Sequence, residues 1–330
     1  MGRHRYLKRM MGLMIFSLMM VIGWATSEVW AAETKYPTRQ IQVVICYAPG
    51  STDIALRLFV DKLTEALGQP MPFIYKPGAG GAVGASFVAK AKPDGYTLMG
   101  ASMSPVIISP LTKEGLDYTS NDFTPICRIS SEPTVLSVKP DSRWKTLGEM
   151  IQEAKKSPGK ITYSTSAVFG TTHVPMELLQ KLGGFNMTHI PTTGSGPALT
   201  AALGGHVDMV VTPAVAVTSH LKSGSLRPVA CIGRLKEFPN VPTLQELGYP
   251  VFYTGWMGLV GPKGIPEEIM NTIYKACDKV MEVHKKSLEE YTTNLGSTPA
   301  YVKGEEFDKE LKSYYTVTKN IVEALTPPKK

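Results

Sequence analysis

Apolar runs of strand length alternate with amphipathic stretches of helix length along residues 40–99. Residues 40–47 have the pattern of a buried strand. Residues 53–67 carry apolar side chains at helical spacing, with Thr52 or Asp53 as the expected N-cap and Gly68 as the stop. The alternation continues with a strand at 71–75, a helix at 82–91 and a strand at 96–99. This order predicts a parallel, doubly wound α/β sheet.

A second alternating unit begins after residues 135–138. Thr146 and Glu149 match a capping box that opens a helix to about residue 156, and Thr243 and Glu246 match a second one. The other expected elements are strands at 161–165, 189–192, 207–211 and 227–232, a helix at 173–182 and a helix from 197.

The C-terminal segment supplies two amphipathic helices, at 266–286 and 304–325, and a strand near 256–260. These elements are too few for a third domain, so we expect them to pack back on the first unit. The result is two α/β lobes joined by crossing segments, with a cleft between them. The expected domains are a signal peptide at 1–31, lobe 1 at 32–138 and 255–330, and lobe 2 at 139–254.

The first 31 residues have the pattern of a secretory signal peptide. Four basic residues precede an apolar run at 13–25, and the side chains of Val29 and Ala31 suit cleavage after Ala31 or Ala32. A membrane anchor is the alternative. Without residues 1–31 the chain has 31 Lys and Arg against 27 Asp and Glu, a net charge of +4. These charges are scattered, so nucleic-acid binding is not expected.

Motifs for metal, cofactor or nucleophilic chemistry are missing from the sequence. The four cysteines form no CxxC pair and no zinc-binding spacing, and we expect buried free thiols, with a disulfide as the alternative. The glycine-rich segment 78–83 fails the dinucleotide fingerprint because Val83 stands where a third glycine is needed, which favours a structural turn. We therefore expect no cofactor and no bound metal.

Two strand-to-helix junctions have the composition of an anion site. Residues 49–52 and 167–172 are short loops rich in small and hydroxyl residues, and each leads into a helix. Free backbone N–H groups and the positive end of the helix dipole face outward at such junctions. Two junctions facing each other across a cleft suit an anion with two ends. The alternative is that the hydroxyls only cap their own helices.

Short motifs in a fixed order resemble the substrate-binding proteins of tripartite tricarboxylate transporters, the Bug-type receptors. The resemblance runs from residue 36 almost to the C-terminus. Its motifs are APGSTD at 48–53, PGAGG at 77–81, PDGYTL at 93–98, DFTPI at 122–126, LGGHVD at 203–208, VPT at 241–243 and PKGIP at 262–266.

The resemblance implies a two-lobe type II periplasmic binding protein fold with the ligand in the cleft. It implies a periplasmic receptor without catalysis that delivers a small organic carboxylate to membrane transporter subunits, and we expect it to act as a monomer. It also implies that backbone N–H and hydroxyl groups hold the carboxylate. The loops at 49–52 and 167–172 agree with this, since neither contains Lys or Arg.

The chain departs from the family pattern near the expected pocket. The first loop is one residue shorter, Phe169 stands where glycine is usual, and Thr192-Thr193 replaces Tyr-Lys. Thr212 takes a position that is commonly acidic, and Tyr75 replaces Asn. The identity of the carboxylate is therefore not carried over. Phe169 either stacks on an aromatic ligand or fills the wall of its lobe.

The candidate ligand-binding residues lie in the two loops or at strand ends that face the cleft. They are Tyr47, Pro49, Gly50, Ser51, Thr52, Asp53, Ser102, Ser104, Ser166, Phe169, Gly170, Thr171, Thr172, His173, Thr192 and Thr212. His173 either contacts the ligand or makes a structural hydrogen bond. Two other functions stay open: a ligand sensor for a membrane histidine kinase, and a hydrolase using Ser51 or Ser195, for which the sequence nominates no base.

Overall fold

The computed structural model of the chain describes residues 36–251 and 253–325, and the expected signal peptide lies outside them. The strands are β1 Gln42–Ile45, β2 Phe73–Tyr75, β3 Thr97–Ser102, β4 Phe123–Glu132, β5 Thr134–Val138, β6 Thr162–Thr165, β7 Thr188–Pro191, β8 Met209–Pro213, β9 Arg227–Ile232, β10 Gly255–Pro262 and β11 Thr298–Lys303. The helices are α1 Ser51–Leu67, α2 Ala82–Ala89, α3 Ser109–Thr112, α4 Leu147–Lys156, α5 His173–Gly183, α6 Ser195–Leu203, α7 Ala214–Lys222, α8 Glu267–Asn294 and α9 Gly304–Leu325.

The first sheet has the order β11-β4-β10-β3-β1-β2. β1 is parallel to β2 and β3, as the alternation predicts. β10 runs antiparallel to β3 and β4, and β11 runs antiparallel to β4. The sequence pattern did not predict β4 and β11. Pro125 and the polar residues 130–132 interrupt the apolar run of β4, and Pro299 interrupts β11.

The second sheet has the order β7-β6-β8-β5-β9. β6 is parallel to β7 and β8, whereas β5 is antiparallel to β8 and β9. The sequence boundary at residue 138 assigned β5 to lobe 1, but its partners place the strand in the sheet of lobe 2. The chain therefore crosses between the sheets at Pro133 and is back in the first sheet where β10 begins at Gly255.

Helix α7 ends close to His220, where the sequence indicates a helix end. One helix expectation in lobe 2 needs correction. Thr243 and Glu246 make the reciprocal hydrogen bonds of a capping box, at 2.8 and 3.2 Å, yet no helix follows them. Gly248, with φ of +88°, ends the turn before a second helical turn can form.

Each sheet has its own apolar core. In lobe 1 the ring of Trp256, with no exposed surface, meets Phe307 edge to face at 5.1 Å. Helices α8 and α9 return to this lobe, as predicted, and pack on α1 and β4. In lobe 2 the buried residues include Tyr163 and Met209. Across the described residues no helix combines the length and apolar character needed to cross a bilayer.

Candidate functional site

The first loop leads into α1, which begins at Ser51 with Gly50 as its N-cap. The expected N-caps, Thr52 and Asp53, lie inside the first turn. The Asp53 carboxylate accepts a 2.7 Å hydrogen bond from the Gly50 N–H through Oδ1 and a 3.1 Å bond from the Tyr75 hydroxyl through Oδ2. Both oxygens of this candidate ligand residue are thus engaged in stabilising the helix start.

The first loop touches the N-terminus of α6 across the cleft. The hydroxyl oxygens of Ser51 and Ser195 are 3.0 Å apart, and the backbone N–H of Ala48 donates to the carbonyl of Thr193 at 3.1 Å. A Cβ on Gly196 would lie only 2.6 Å from the carbonyl oxygen of Pro49. The lobes are therefore in direct contact here, and the missing side chain at residue 196 permits the approach.

This contact changes the expected pairing of the two loops. The sequence pattern predicts that residues 49–52 and the loop at 167–172 are the two opposed junctions. The structure brings residues 49–52 against the start of α6 instead, at the Gly-Ser-Gly turn of residues 194–196. The hydroxyl of Ser195 does not cap its helix, and it lies 3.0 Å from the hydroxyl of Ser51 across the cleft.

The second loop is held by the first residue of the helix it precedes. Phe169 has φ of +49°, a strained conformation for a bulky residue, and its backbone N–H donates to Nδ1 of His173 at 3.0 Å. The Phe169 ring also meets His173 edge to face at 5.6 Å. Thr171 of the same loop approaches β10: its Cβ is 3.7 Å from the position of a Cβ on Gly255.

The imidazole of His173 belongs to a buried polar cluster. Its Nε2 lies 3.1 Å from Oε1 of Glu177, and its ring stacks on His189 at 3.9 Å. The hydrogen bond from His173 lowers the pKa of Glu177. Burial, with a smaller effect of His173, lowers the pKa of His189 to about 4, so His189 is neutral near pH 7. These contacts favour the structural alternative for His173.

A cavity of about 170 Å³ lies between the lobes. The Tyr47 hydroxyl donates to the carbonyl of Gly80 at 3.3 Å, and the Ser104 hydroxyl donates to the same carbonyl at 3.3 Å. Burial raises the pKa of Tyr47, which keeps its hydroxyl protonated as a donor. The lining residues are Tyr47, 78–81 and Lys113 from lobe 1 and 166–168 and 191–193 from lobe 2.

Three candidate ligand residues, Tyr47, Ser166 and Thr192, line this cavity. The Thr192 hydroxyl is already bonded to the carbonyls of Thr165 and Gly194, at 3.0 and 2.8 Å. The remaining candidates lie outside the lining. They are Pro49, Gly50, Ser51, Thr52, Asp53, Ser102, Ser104, Phe169, Gly170, Thr171, Thr172, His173 and Thr212.

Two of the candidates outside the lining carry buried hydroxyls without a protein partner. Thr172 and Thr212 have no exposed surface, and neither Oγ1 atom makes a hydrogen bond within the part of the chain that the structure describes. Buried hydroxyls ordinarily have a partner. These two hydroxyl groups are therefore able to form a further hydrogen bond.

Sequence reasoning missed two parts of the cavity wall. The turn at residues 78–81 appeared only as a structural turn, although its PGAGG motif was part of the resemblance. Lys113 carried no signal, since it lies in neither loop and in no motif. Its Nζ donates to the carbonyl of Ala79.

The site has little of the chemistry that hydrolysis or metal binding needs. Within the described residues, the hydroxyls of Ser51 and Ser195 bond to each other, and neither bonds to a histidine or a carboxylate that could serve as base. In the same part of the chain, no three His, Cys, Asp or Glu side chains converge as a metal-ligand set. What the site offers is hydroxyl groups, backbone N–H groups and one ammonium.

Comparisons with known proteins agree on one family. The family model described as "Tripartite tricarboxylate transporter family receptor" matches residues 55–326. A Cupriavidus necator protein described as "UPF0065 protein in gbd 5'region" is 35% identical over 309 residues, which are 92% of this chain and 93% of that protein.

Two solved structures that share the fold are of proteins with a small acid. An R. palustris protein solved with adipate superposes with a TM-score of 0.83 at 26% identity, covering 88% of this chain and 98% of that one. MatC from Rhodopseudomonas palustris with bound malate superposes with a TM-score of 0.80 at 26% identity, covering 87% of this chain and all 100% of that one.

Proposed function

Because the chain belongs to the tripartite tricarboxylate transporter receptor family, we propose that it captures a small organic carboxylate between its lobes for a membrane transporter. The family match over residues 55–326 confirms the resemblance seen in the sequence. The two-lobe periplasmic binding protein fold expected from that resemblance is confirmed as well. The chain is a solute-binding receptor of this class.

The observation that carries the proposal is the meeting of two helix N-termini from opposite lobes. Helix α1 starts at Ser51 and α6 at Ser195, and their hydroxyls are 3.0 Å apart. Each helix start contributes unpaired backbone N–H groups and the positive end of a helix dipole. An anion placed beside this junction gains donors from both lobes at once, so its binding favours the closed form.

The ligands of the related structures indicate the chemical class. Adipate and malate are both dicarboxylates, and each is named with a protein of this fold at 26% identity. The hydroxyl and backbone donors of the present site suit the same type of anion. We therefore infer that Tyr47, Ser166 and Thr171 are among the groups that contact a carboxylate ligand.

We propose further that residues 1–31 act as a signal peptide that directs the chain to the periplasm, where it works as a monomer and catalyses no reaction. The family match to a transporter receptor favours delivery to a transporter over signalling to a histidine kinase. The mutual hydrogen bond of Ser51 and Ser195 speaks against a hydrolase, because it leaves neither oxygen with a base.

A thermal-shift screen of mono-, di- and tricarboxylates and aromatic acids tests the proposal. A ligand at about 100 times its dissociation constant adds roughly 2.7 kcal/mol of stability. We expect at least one carboxylate to raise the melting temperature, with a dissociation constant then measured by calorimetry. If no carboxylate stabilises the protein while another solute class does, the proposed function is wrong.

A further inference from the structure

Lys113 brings a positive charge to the seam between the lobes. It follows directly after α3, and its Nζ donates to the carbonyl of Ala79. A Cβ on Gly80 would lie 3.0 Å from this Nζ and 3.4 Å from the carbonyl oxygen of Val168 in lobe 2. The ammonium therefore lies where the turn of lobe 1 meets the second loop of lobe 2.

This ammonium has no acidic partner in residues 36–251 and 253–325. No carboxylate of the described chain forms an ion pair with Lys113, and the other side chains that line the 170 Å³ cavity are neutral. The carbonyl of Ala79 accepts one of the three N–H donors that an ammonium carries. Burial lowers the pKa of Lys113, the direction expected of a cation with no counter-charge. A bound anion would supply that charge.

The cavity lies next to the junction of the helix N-termini. Tyr47 lines the cavity, directly precedes Ala48, and reaches Gly80 through its hydroxyl at 3.3 Å. Thr193 also lines the cavity and accepts the hydrogen bond of Ala48. A ligand in this space thus meets Lys113 and the neutral side chains of Tyr47, Ser166 and Thr192, beside the residues that lead into the first loop.

The volume indicates a small ligand. A cavity of about 150 Å³ accommodates a benzene molecule. The present cavity of about 170 Å³ therefore suits a small acid better than a polycyclic one.

We propose that Lys113 is the specificity-determining residue of this site and binds the second carboxylate of a short dicarboxylate. This inference rests on the proposed function and deepens it by naming the ligand class. One carboxylate meets the neutral hydroxyl and backbone groups of the cavity wall beside the first loop. The other pairs with the Lys113 ammonium, which restores the balance of charge in the cavity and holds the turn at residues 78–81 against lobe 2.

The test compares each dicarboxylate with its own half-amide. Calorimetry measures binding of succinate, malate and adipate and of the corresponding monoamides, which keep the size of the ligand but lose one charge. The variants are Lys113→Gln and Lys113→Arg. The matched control is Lys155→Gln, because Lys155 is an exposed lysine on α4. Charge-assisted hydrogen bonds lead us to expect that the wild type prefers a dicarboxylate over its monoamide by about ten- to 150-fold.

We expect Lys113→Gln to bind dicarboxylate and monoamide alike, with monoamide affinity unchanged, which also shows that the variant is folded. Lys113→Arg should keep most of the preference, and Lys155→Gln all of it. A preference that survives Lys113→Gln, or a wild type that binds the monoamides equally well, overturns the role of Lys113 and leaves the receptor function standing. A wild type that binds none of these acids and no other carboxylate overturns both.

Discussion

Ser297 donates a 2.7 Å hydrogen bond to Oε2 of Glu132, a carboxyl group with 1% of its surface exposed at the end of β4. Glu132 is the last residue of its strand before the chain crosses into lobe 2 at Pro133. Ser130 donates to the other oxygen of the same carboxyl group. The hydrogen bond between Ser297 and Glu132 thus links the start of β11 to the point where the lobes are joined. The Glu132 carboxyl group has no cationic partner within the described residues.

The burial of Glu132 predicts a stability that falls as the pH rises. Desolvation raises the pKa of Glu132 from 4.5 to about 7, against the smaller opposing effect of the two serine hydroxyls. Because the unfolded chain ionises this group at lower pH than the folded chain does, its favourable contribution is complete below about pH 4.5. It is lost between there and about pH 7. Glu132→Gln should remove this dependence, an effect on the order of 3 kcal/mol.

Urea unfolding of wild type and Glu132→Gln at about pH 5 and pH 8 measures the effect. The variant should gain stability relative to wild type on going to the higher pH. Glu282→Gln, at an exposed site on α8 without an ion pair in the described chain, is the control and should show no such change. Equal stability differences at both pH values would mean that Glu132 titrates normally.

The hydroxyl contact between the lobes predicts a non-additive pair of mutations. Ser51 and Ser195 bond only to each other within the described structure, so either Ser→Ala change removes the same hydrogen bond. A neutral hydrogen bond contributes about 0.5–1.5 kcal/mol, which corresponds to roughly two- to thirteenfold in affinity for a ligand that needs the closed form. Calorimetry with the strongest carboxylate of the screen should show the double variant no weaker than either single one.

Additive losses would show that each hydroxyl acts on its own. A much larger loss for Ser51→Ala alone, of about ten- to 150-fold, would indicate that Ser51 bonds to the ligand carboxylate directly. Thr171→Ala provides the comparison for the second loop, since Thr171 is not part of the Ser51–Ser195 contact.

Much of the fold follows from local sequence pattern. The parallel part of the first sheet, β1 to β3 with α1 and α2, was predicted because apolar runs and glycine stops are local signals. The bounds of β9 and α9 were predicted to the residue. β4 was not predicted because Pro125 and the buried, hydrogen-bonded Glu132 break its apolar pattern. Its pairing with neighbouring strands, which is not visible in the local sequence, makes the strand favourable.

The site was predicted less well, for a different physical reason. Hydroxyl-rich loops at strand ends are visible in a sequence, but which two loops meet across a cleft depends on how the lobes pack. The contact between Pro49 and Gly196 is a backbone approach, and the placement of Lys113 beside Ala79 joins residues 34 positions apart. Neither contact produces a periodicity or a spacing in the sequence from which it could be predicted.

Burial predicts unreactive cysteines. Cys46, Cys127, Cys231 and Cys277 are free and buried, which agrees with the expected free thiols. Burial raises the pKa of Cys46 to about 12 and of Cys231 to about 11. Since the thiolate is the reactive form, a thiol reagent at about pH 8 should modify none of them in the native protein. It should modify all four in urea. Fast reaction of any one thiol in the native state would show that local opening of the fold exposes that cysteine to solvent.

The close approach at Gly196 predicts a variant that folds but does not close. A Cβ there would lie 2.6 Å from the Pro49 carbonyl oxygen of the other lobe, a contact that backbone atoms cannot accommodate without moving apart. Gly196→Ala should therefore weaken binding of the strongest carboxylate by tenfold or more, about 1.4 kcal/mol at least. Alanine is favourable in a helix, so the stability of each lobe should not fall. Calorimetry and urea unfolding measure the two effects separately.

Gly148→Ala is the matched control for this variant. Gly148 is also the second residue of a helix, α4, but a Cβ there would meet only the Thr146 hydroxyl at 3.7 Å. It should keep wild-type affinity. Small-angle scattering adds a second reading: saturating ligand should leave Gly196→Ala with a larger radius of gyration than wild type or Gly148→Ala. If Gly196→Ala binds and compacts like the control, the lobes do not meet at Pro49 and Gly196 in the bound state, and the junction of α1 and α6 is not where the ligand is held.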